Sequence, residues 1–412
     1  MAPSTPEGMP RRAPLAARLP VFPWDTLAEH RARAEAHPDG IVDLSVGTPV
    51  DPTPESIRRA LAEASDSHGY PTTIGTPALR EALVDFCRRT LGAPDALGID
   101  GVLPTVGSKE LVAHLPFQLG IGASAVGASG LGASGVATGG GARGAVAFPN
   151  IAYPTYEMGA IFVGAEPVPV DIERLAAEGD AAFDGVSGDP GVVDRIGLLW
   201  LNSPSNPTGA VLGVEAMASV VGWARERGIV VASDECYARL PWEVDDIPSI
   251  LDPRVHGGDL SGLLCVYSLS KQSNLAGYRA AFVAGDPELV GELVAIRRQA
   301  GMMLPGPIQA AMATALSDDA AADAEREVYR RRRDMLRPAL EAFGGTIPRS
   351  EAGLYLWTTF GEDSLTSVAR LADLGILVAP GMFYGGAGEG FVRVALTAPD
   401  ERIAAAEARL AS

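Results

Sequence analysis

The chain has 412 residues, which is more than one ordinary hydrophobic core accommodates, and it therefore predicts two closely packed lobes. Acidic side chains outnumber basic ones by 51 to 33, and the resulting net charge of −18 argues against nucleic acid or an anionic membrane as a partner. Three distant cysteines and five histidines without paired ligand spacing indicate neither a disulfide framework nor a metal site, which fits a soluble protein of the reducing cytoplasm.

The N-terminal segment carries arginines and scattered prolines without a continuous apolar run, so its first twenty residues predict a loose tail rather than a signal peptide. Further prolines surround one short strand, predicted at Ile41–Val46. We therefore expect residues 1–46 to form an arm that also contributes to the smaller lobe.

Short β-branched runs alternate with helical patterns through residues 47–300. This alternation is typical of a mostly parallel sheet covered by helices on both faces, which is an α/β fold with three layers. The predicted strands are Val102–Val106, Ala145–Phe148, Ile196–Asn202, Gly228–Ser233, Leu264–Leu269 and Ala281–Ala284.

An insertion of mostly Gly, Ala and Ser occupies residues 120–144, and no charged residue occurs between Leu119 and Ala142. Glycine-dense backbone hides little apolar surface, so we expect a loop in a soluble domain rather than a membrane span. Two G-x-G-x-x-G patterns fall within it, at Gly130–Gly135 and Gly139–Gly144. Neither has the preceding strand and following helix that a dinucleotide site needs, and we interpret both as accidental.

The C-terminal part, residues 301–412, has a different order of elements. A long helix-prone tract from Pro307 to about Phe343 precedes strands predicted at Leu354–Thr359, Ile376–Ala379 and Val392–Leu396. This order predicts an interdomain helix followed by a small α+β domain.

Polar clusters follow three consecutive predicted strands: Ser203–Gly209, Ser233–Tyr237 and Tyr267–Lys271. A single lysine after a strand is ordinarily a surface residue. Because the carboxyl ends of parallel strands meet at one edge, where ligands bind in such sheets, the three clusters together predict a site.

Two further features carry charge into apolar surroundings. Gly107, Ser108 and Lys109 end a strand and open a helix, which places free N–H groups and a positive dipole end near an anion. Arg393 lies within an otherwise apolar strand and needs an anionic partner. By contrast, we expect Glu235 and Cys236 to be scaffold, because adjacent strand residues point to opposite faces.

With these motifs, spread from Gly47 to Arg393, the sequence resembles the class I and II, or aspartate aminotransferase fold-type, family of pyridoxal-phosphate enzymes. The resemblance implies a three-layer type I fold with a large cofactor-binding domain over residues 47–300. It also implies that Lys271 anchors the cofactor covalently and shuttles the substrate proton.

The resemblance further implies roles for the remaining motif residues, and amino acids and 2-oxo acids as substrates. Arg393, helped by Gly47 and Asn206, would bind the substrate α-carboxylate, while Tyr70 would reach the neighbouring subunit's phosphate in a homodimer with shared sites. Cofactor-binding roles fall to Asp234 at the pyridine nitrogen, Tyr153 on the ring, Asn206 and Tyr237 at the phenolic oxygen, and Gly107, Ser108, Lys109, Ser268, Ser270 and Arg279 at the phosphate.

Longer strings resemble the actinobacterial N-succinyldiaminopimelate aminotransferases: Phe22–Leu27, Asp43–Pro52 and Ala352–Trp357. They imply amino transfer between glutamate and N-succinyl-2-amino-6-oxopimelate in lysine and diaminopimelate biosynthesis. Alternatives on the same scaffold are an aminotransferase for aspartate, alanine or LL-diaminopimelate, or a β-lyase. A nicotinamide oxidoreductase would depend on the two glycine patterns alone, and a transcriptional regulator would need a DNA-binding module that the short tail cannot hold.

Overall fold

The computed structural model describes residues 19–20, 23–122, 143–189 and 191–412. Most of the predicted tail and of the Gly/Ala/Ser insertion, including its glycine patterns up to residue 142, lies outside the described residues. Within the described ranges no helix is long and apolar enough to cross a membrane.

The strands and helices are numbered in chain order, and short 3₁₀ turns are unnumbered. The strands are β1 Val42–Asp43, β2 Val102–Val106, β3 Ala145–Pro149, β4 Glu166–Val170, β5 Ile196–Asn202, β6 Val230–Asp234, β7 Leu263–Ser268, β8 Ala280–Gly285, β9 Tyr355–Thr358, β10 Ile376–Leu377, β11 Ala379–Pro380 and β12 Val392–Ala395. The helices are α1 Ala28–Glu35, α2 Glu55–Glu63, α3 Pro77–Leu91, α4 Ser108–Gln118, α5 Thr155–Val163, α6 Ile172–Glu178, α7 Val192–Arg195, α8 Val214–Glu226, α9 Pro253–His256, α10 Leu269–Gln272, α11 Pro287–Ala300, α12 Gly306–Ser317, α13 Asp319–Ala342, α14 Ser364–Asp373 and α15 Asp400–Leu410.

The central sheet has seven strands in the order β2-β8-β7-β6-β5-β3-β4, and only β8 runs against its neighbours. Alternate residues of each strand enter two separate cores. Leu199 and Leu201 face a core with α3, α8 and α12, whereas Leu198 and Trp200 face one with α4, α5 and α11. The sheet therefore has helices on both faces, and the three-layer α/β prediction is confirmed.

Most of the strand predictions are confirmed to within two residues, and β2 and β5 match in full. Edge strand β4 was not predicted, and its Pro167 and Pro169 are unusual in a strand. An edge strand pairs on one side only, so proline, which has no N–H, is tolerated there.

Two predicted elements are divided in the structure. The tract after Pro307 forms α12 and α13, because Asp318 leaves the helical conformation (ψ 70°) and its side chain caps Ala321 N. The predicted strand Ile376–Ala379 splits into β10, which pairs with β1, and β11, which pairs with β12.

A third hydrophobic core joins α13, α14 and α15 to the antiparallel sheet β11-β12-β9. Because β1 pairs with β10, the N-terminal segment is part of this smaller lobe, which comprises α13, α14, α15 and the sheet β11-β12-β9. Arg332 of α13 adds hydrogen bonds to Asp51, which follows β1 in the chain, and to Asp400 of α15. The domain limits at residues 46 and 300 stay a prediction.

Glu235 lies behind the carboxyl end of β6 and is 1% exposed. It accepts hydrogen bonds from Ile250 N at 2.7 Å and from the Cys265 thiol at 3.3 Å. Burial raises the pKa of its carboxyl to about 7. The folded chain thus binds a proton at mildly acidic pH that the unfolded chain releases.

We therefore predict that the free energy of unfolding falls as pH rises from about 4.5 to about 7, by on the order of 3 kcal/mol from this one group. The Glu235→Gln variant keeps an acceptor but cannot ionise, so it should lose this part of the dependence. Chemical denaturation of both proteins at pH 5.5 and 8 measures the difference. An equal pH dependence in parent and variant would contradict the assignment.

Candidate active site

A cavity of about 500 Å³ lies at the carboxyl ends of β5, β6 and β7. The three parallel strands bring their terminal residues, Asn202, Asp234 and Ser268, to one edge of the sheet. Twelve of the residues singled out in the sequence line this cavity: Gly47, Ser108, Lys109, Tyr153, Asn206, Asp234, Tyr237, Ser268, Ser270, Lys271, Arg279 and Arg393. The prediction that the three polar clusters meet is therefore confirmed.

Lys271 lies on the short helix α10, which begins directly after β7 because the Ser268 hydroxyl caps the Ser270 N–H. Its amine donates a hydrogen bond to the carbonyl of Gly47. Burial lowers the pKa of the amine, and the positive charges of Arg393 and Arg279 lower it further. A larger share of neutral amine is available at neutral pH, as a nucleophile or a proton acceptor requires.

Asp234 ends β6 and is 8% exposed. Its carboxylate accepts hydrogen bonds from the Tyr156 hydroxyl at 2.9 Å and from Cys236 N at 3.3 Å. Burial raises the pKa of Asp234, although the hydrogen bond from Tyr156 opposes this shift. A cation or an N–H donor in the cavity would satisfy this carboxylate.

The first turn of α4, the α10 cap and Arg279 surround one end of the cavity. Gly107 has φ 81°, and a Cβ at this position would lie 2.2 Å from the Arg279 guanidinium. Only glycine lets the backbone and the guanidinium approach so closely. Free N–H groups, the hydroxyls of Ser268 and Ser270, and a charged fork together form a cradle for an anion such as phosphate.

Arg393 enters from β12 and is 3% exposed. It donates to Asn206 Oδ1 at 3.0 Å and to the Ser45 carbonyl at 2.9 Å. The rings of Tyr355 and Tyr384 lie 4.0 Å and 5.0 Å from its central carbon. Because the Asn206 oxygen accepts from Arg393, its amide nitrogen is left to donate to another group.

Tyr237 and Tyr355 face each other with hydroxyl oxygens 3.3 Å apart. Burial raises the pKa of Tyr237. Burial acts in the same direction on Tyr355, but the charges of Arg393 and Lys271 outweigh it and lower the pKa of Tyr355. Tyr237 therefore retains its proton more firmly than Tyr355, whose hydroxyl lies near both the Lys271 amine and the Arg393 guanidinium.

Several cavity residues had no predicted role. Tyr156 is three residues after Tyr153, and Asn202 immediately precedes Ser203. Tyr355 lies within the Ala352–Trp357 string. The neighbours of all three residues were therefore a usable signal in the sequence. Trp24 and Leu27, from the Phe22–Leu27 string, also line the cavity. Arg31 lines it as well, but no sequence signal marked this residue.

The prediction for Cys236 as scaffold facing away from the site is wrong. Glu235 does point into the opposite core, but β6 ends at Asp234, and Cys236 lies in the turn that follows, where its side chain lines the cavity. Tyr70 does not line the cavity, and its side chain is 97% exposed.

The aminotransferase class I and II family matches residues 39–410. The chain belongs to this family. A probable aminotransferase of Mycobacterium tuberculosis is 50% identical, with 97% of this chain and 87% of the relative covered. The 4-dedimethylamino-4-oxo-anhydrotetracycline transaminase of Streptomyces rimosus is 49% identical (95% and 99% covered), and an LL-diaminopimelate aminotransferase of Aquifex aeolicus is 32% identical (95% and 97%).

Solved structures agree with this assignment. An aminotransferase from Neisseria meningitidis superimposes with a TM-score of 0.81 at 29% identity, covering 96% of this chain and 98% of its own. A probable N-succinyldiaminopimelate aminotransferase from Thermus thermophilus gives a TM-score of 0.78 at 26% identity (94% and 99% covered). This chain is an aminotransferase of the type I fold, and its family depends on pyridoxal phosphate.

The cavity residues fit this cofactor. The Gly107–Arg279 cradle suits a phosphate, the buried Asp234 carboxylate suits a pyridinium N–H, and the Lys271 amine suits an aldehyde. When bound, pyridoxal phosphate supplies the carbonyl that accepts the amino group and a ring that withdraws electrons. The protein supplies orientation, a fixed carboxylate and a movable proton.

Tyr156 supports Asp234 through one buried hydrogen bond, so we predict that Tyr156→Phe weakens the carboxylate's hold on the pyridinium. Loss of a hydrogen bond to a charged group should lower kcat by roughly tenfold or more. Steady-state kinetics measure this, with circular dichroism to verify folding. An unchanged kcat in a folded variant would contradict the proposed support.

Proposed function

We propose that this enzyme is an N-succinyl-LL-diaminopimelate:2-oxoglutarate aminotransferase of lysine and diaminopimelate biosynthesis. The observation that carries the general reaction is one cavity that holds the Lys271 amine, the Asp234 carboxylate and the Arg393 guanidinium. The strings Phe22–Leu27, Asp43–Pro52 and Ala352–Trp357 support the specific substrate. The names of the Aquifex and Thermus relatives support the same class of substrate.

In this proposal Lys271 holds the cofactor until the substrate amine displaces it, and its freed amine then moves the proton away from the substrate α-carbon. The lowered pKa of that amine matches a proton acceptor at neutral pH. Arg393 and Gly47 hold the α-carboxylate, so the Cα–H bond is fixed near the amine.

Other residues of the site would hold the cofactor. Asp234 keeps the pyridine nitrogen protonated, and Tyr153 packs on the ring face. Asn206 and Tyr237 donate to the phenolic oxygen, for which the Arg393 contact orients the Asn206 amide. Phosphate binding falls to Gly107, Ser108, Lys109, Ser268, Ser270 and Arg279.

We further propose a homodimer in which Tyr70 completes the phosphate site of the neighbouring subunit. A tyrosine with 97% of its surface exposed gains little in a monomer, whereas an interface would bury its ring and satisfy its hydroxyl.

A second candidate substrate is a large cyclic ketone, which the 49% identity to the Streptomyces transaminase favours. The two candidates place different groups in the outer part of the cavity. Comparing the reaction rates of the two classes of compound distinguishes the candidates.

We predict that N-succinyl-LL-diaminopimelate and glutamate bleach the absorption band of the lysine-linked cofactor and yield their oxo acids, detected by mass spectrometry. Aspartate and alanine should react less, and Lys271→Ala should abolish turnover while leaving the cavity walls in place. Faster reaction of aspartate or alanine, elimination products typical of a β-lyase, or amination of a tetracycline-type ketone in place of the succinyl compound would overturn the substrate assignment.

Mixed dimers test the shared site. Neither Lys271→Ala nor Tyr70→Ala chains should be fully active alone at limiting cofactor. Random pairing of the two creates hybrids with one intact site, so we predict recovery of roughly a quarter of the parent activity. If Tyr70 served its own subunit, every hybrid site would carry a defect and mixing would restore nothing.

A further inference from the structure

Five basic side chains line the cavity within the described ranges, whereas Asp234 is the single acidic residue on its wall. Four of the five have a role in the proposed function: Lys109 and Arg279 at the phosphate, Lys271 at the reacting atoms and Arg393 at the α-carboxylate. Arg31 has none. Arg31 is therefore an additional cation in the active site of a chain whose net charge is −18.

Arg31 lies on α1, directly after the turn that carries Trp24 and Leu27. These three residues are spaced by three and four positions, so they share one face of the segment, and all line the cavity. The Arg31 side chain is 41% exposed and hence accessible to a ligand. This face of the N-terminal segment combines an apolar wall with one cation.

The position of Arg31 is fixed relative to the α-carboxylate site. Its Nη2 donates to Asp43 Oδ2 at 2.7 Å, while Asp43 Oδ1 accepts from Ser45 N and from the Ser45 hydroxyl. The Ser45 carbonyl in turn accepts from Arg393 at 2.9 Å. The segment from Asp43 to Ser45 therefore connects the guanidinium of Arg31 to that of Arg393 through hydrogen bonds.

A guanidinium has five N–H donors, and the structure gives Arg31 one hydrogen bond to the described residues. Its planar fork matches a carboxylate better than any other side chain does. A substrate held at one end by Arg393 would bring the far end of its side chain along the Trp24–Leu27 wall.

We propose that Arg31 binds a carboxylate at the distal end of the substrate side chain, and so selects amino acids and 2-oxo acids with a second carboxylate. This proposal rests on the proposed function, because glutamate and N-succinyl-LL-diaminopimelate both carry such a group. It identifies a cation in the same chain for a recognition step that sequence spacing left without a residue.

The test compares Arg31→Gln with Arg33→Gln. Arg33 lies on the same helix, pairs with Asp373 and does not line the cavity, so its replacement changes net charge equally. The probes are glutarate, which has two carboxylates and no amine, and butyrate, which has one. Perturbation of the cofactor absorption band gives their dissociation constants without turnover.

We expect the parent enzyme to bind glutarate more tightly than butyrate. Arg31→Gln should weaken glutarate roughly tenfold or more and leave butyrate within about twofold, with Arg33→Gln resembling the parent. The kcat/KM for glutamate should fall likewise, while that for norvaline, which lacks the distal carboxylate, should not. Arg31→Lys keeps the charge without the fork and should give an intermediate loss for glutarate.

Equal losses for both probes, no loss for either, or a parent enzyme without preference for glutarate would overturn the proposal. If Arg31→Gln folds poorly, Arg31→Lys applies the same criterion. The outcome is separable from that of the proposed function. If Arg31→Gln weakens the binding of glutarate selectively but the parent enzyme does not convert the succinyl compound, only the proposed substrate is refuted. If the parent enzyme converts the succinyl compound but Arg31→Gln weakens the binding of glutarate and butyrate equally, only the role of Arg31 is refuted.

Discussion

The amine of Lys271 is largely buried at the carboxyl ends of three parallel strands, and the groups around it determine whether it is charged or neutral. An ammonium is costly in such surroundings, and the neighbouring Arg279 and Arg393 add repulsion. The Gly47 carbonyl gives the amine an acceptor without giving it a counter-ion. The amine is thereby kept reactive, whereas a carboxylate in place of that carbonyl would stabilise its charge.

Arg393 connects parts of the chain that are far apart in sequence. It extends from β12 to Asn206 beyond β5 and to Ser45 beyond β1. In the proposed function an incoming α-carboxylate binds this same guanidinium, which would couple substrate binding both to the Asn206 amide and to the N-terminal segment. In that proposal substrate recognition, cofactor contacts and the position of the arm all depend on one buried side chain.

The sequence was sufficient to predict which polar clusters meet in one cavity, because those clusters follow strand ends. Asp234, Lys271 and Asn206 each come after an apolar run, and parallel pairing of those runs brings them together. Edge strand β4 was missed because its prolines oppose the local pattern. Arg31 could not be predicted, since the pairing of β1 with β10 places its helix by contacts hundreds of residues away.

Cys236 illustrates a smaller limit. Alternation along a strand gave the right side for Glu235, but β6 ends at Asp234, so the rule does not extend to Cys236, whose side chain lines the cavity from the turn. Tyr156 was likewise within reach, because a helix that begins at Thr155 continues directly from the Tyr153 segment.

The N-terminal arm forms one wall of the cavity but supplies none of the groups assigned to cofactor binding or proton transfer. Its α1 helix packs on α14 of the smaller lobe and not on the central sheet, whose strands lead to Asp234 and Lys271. If Arg31 selects the substrate as proposed, mutations in this helix change which compounds are accepted and leave the groups at the reacting atoms in place. In the proposed arrangement the group that selects the substrate and the groups that react thus belong to separate elements of the chain.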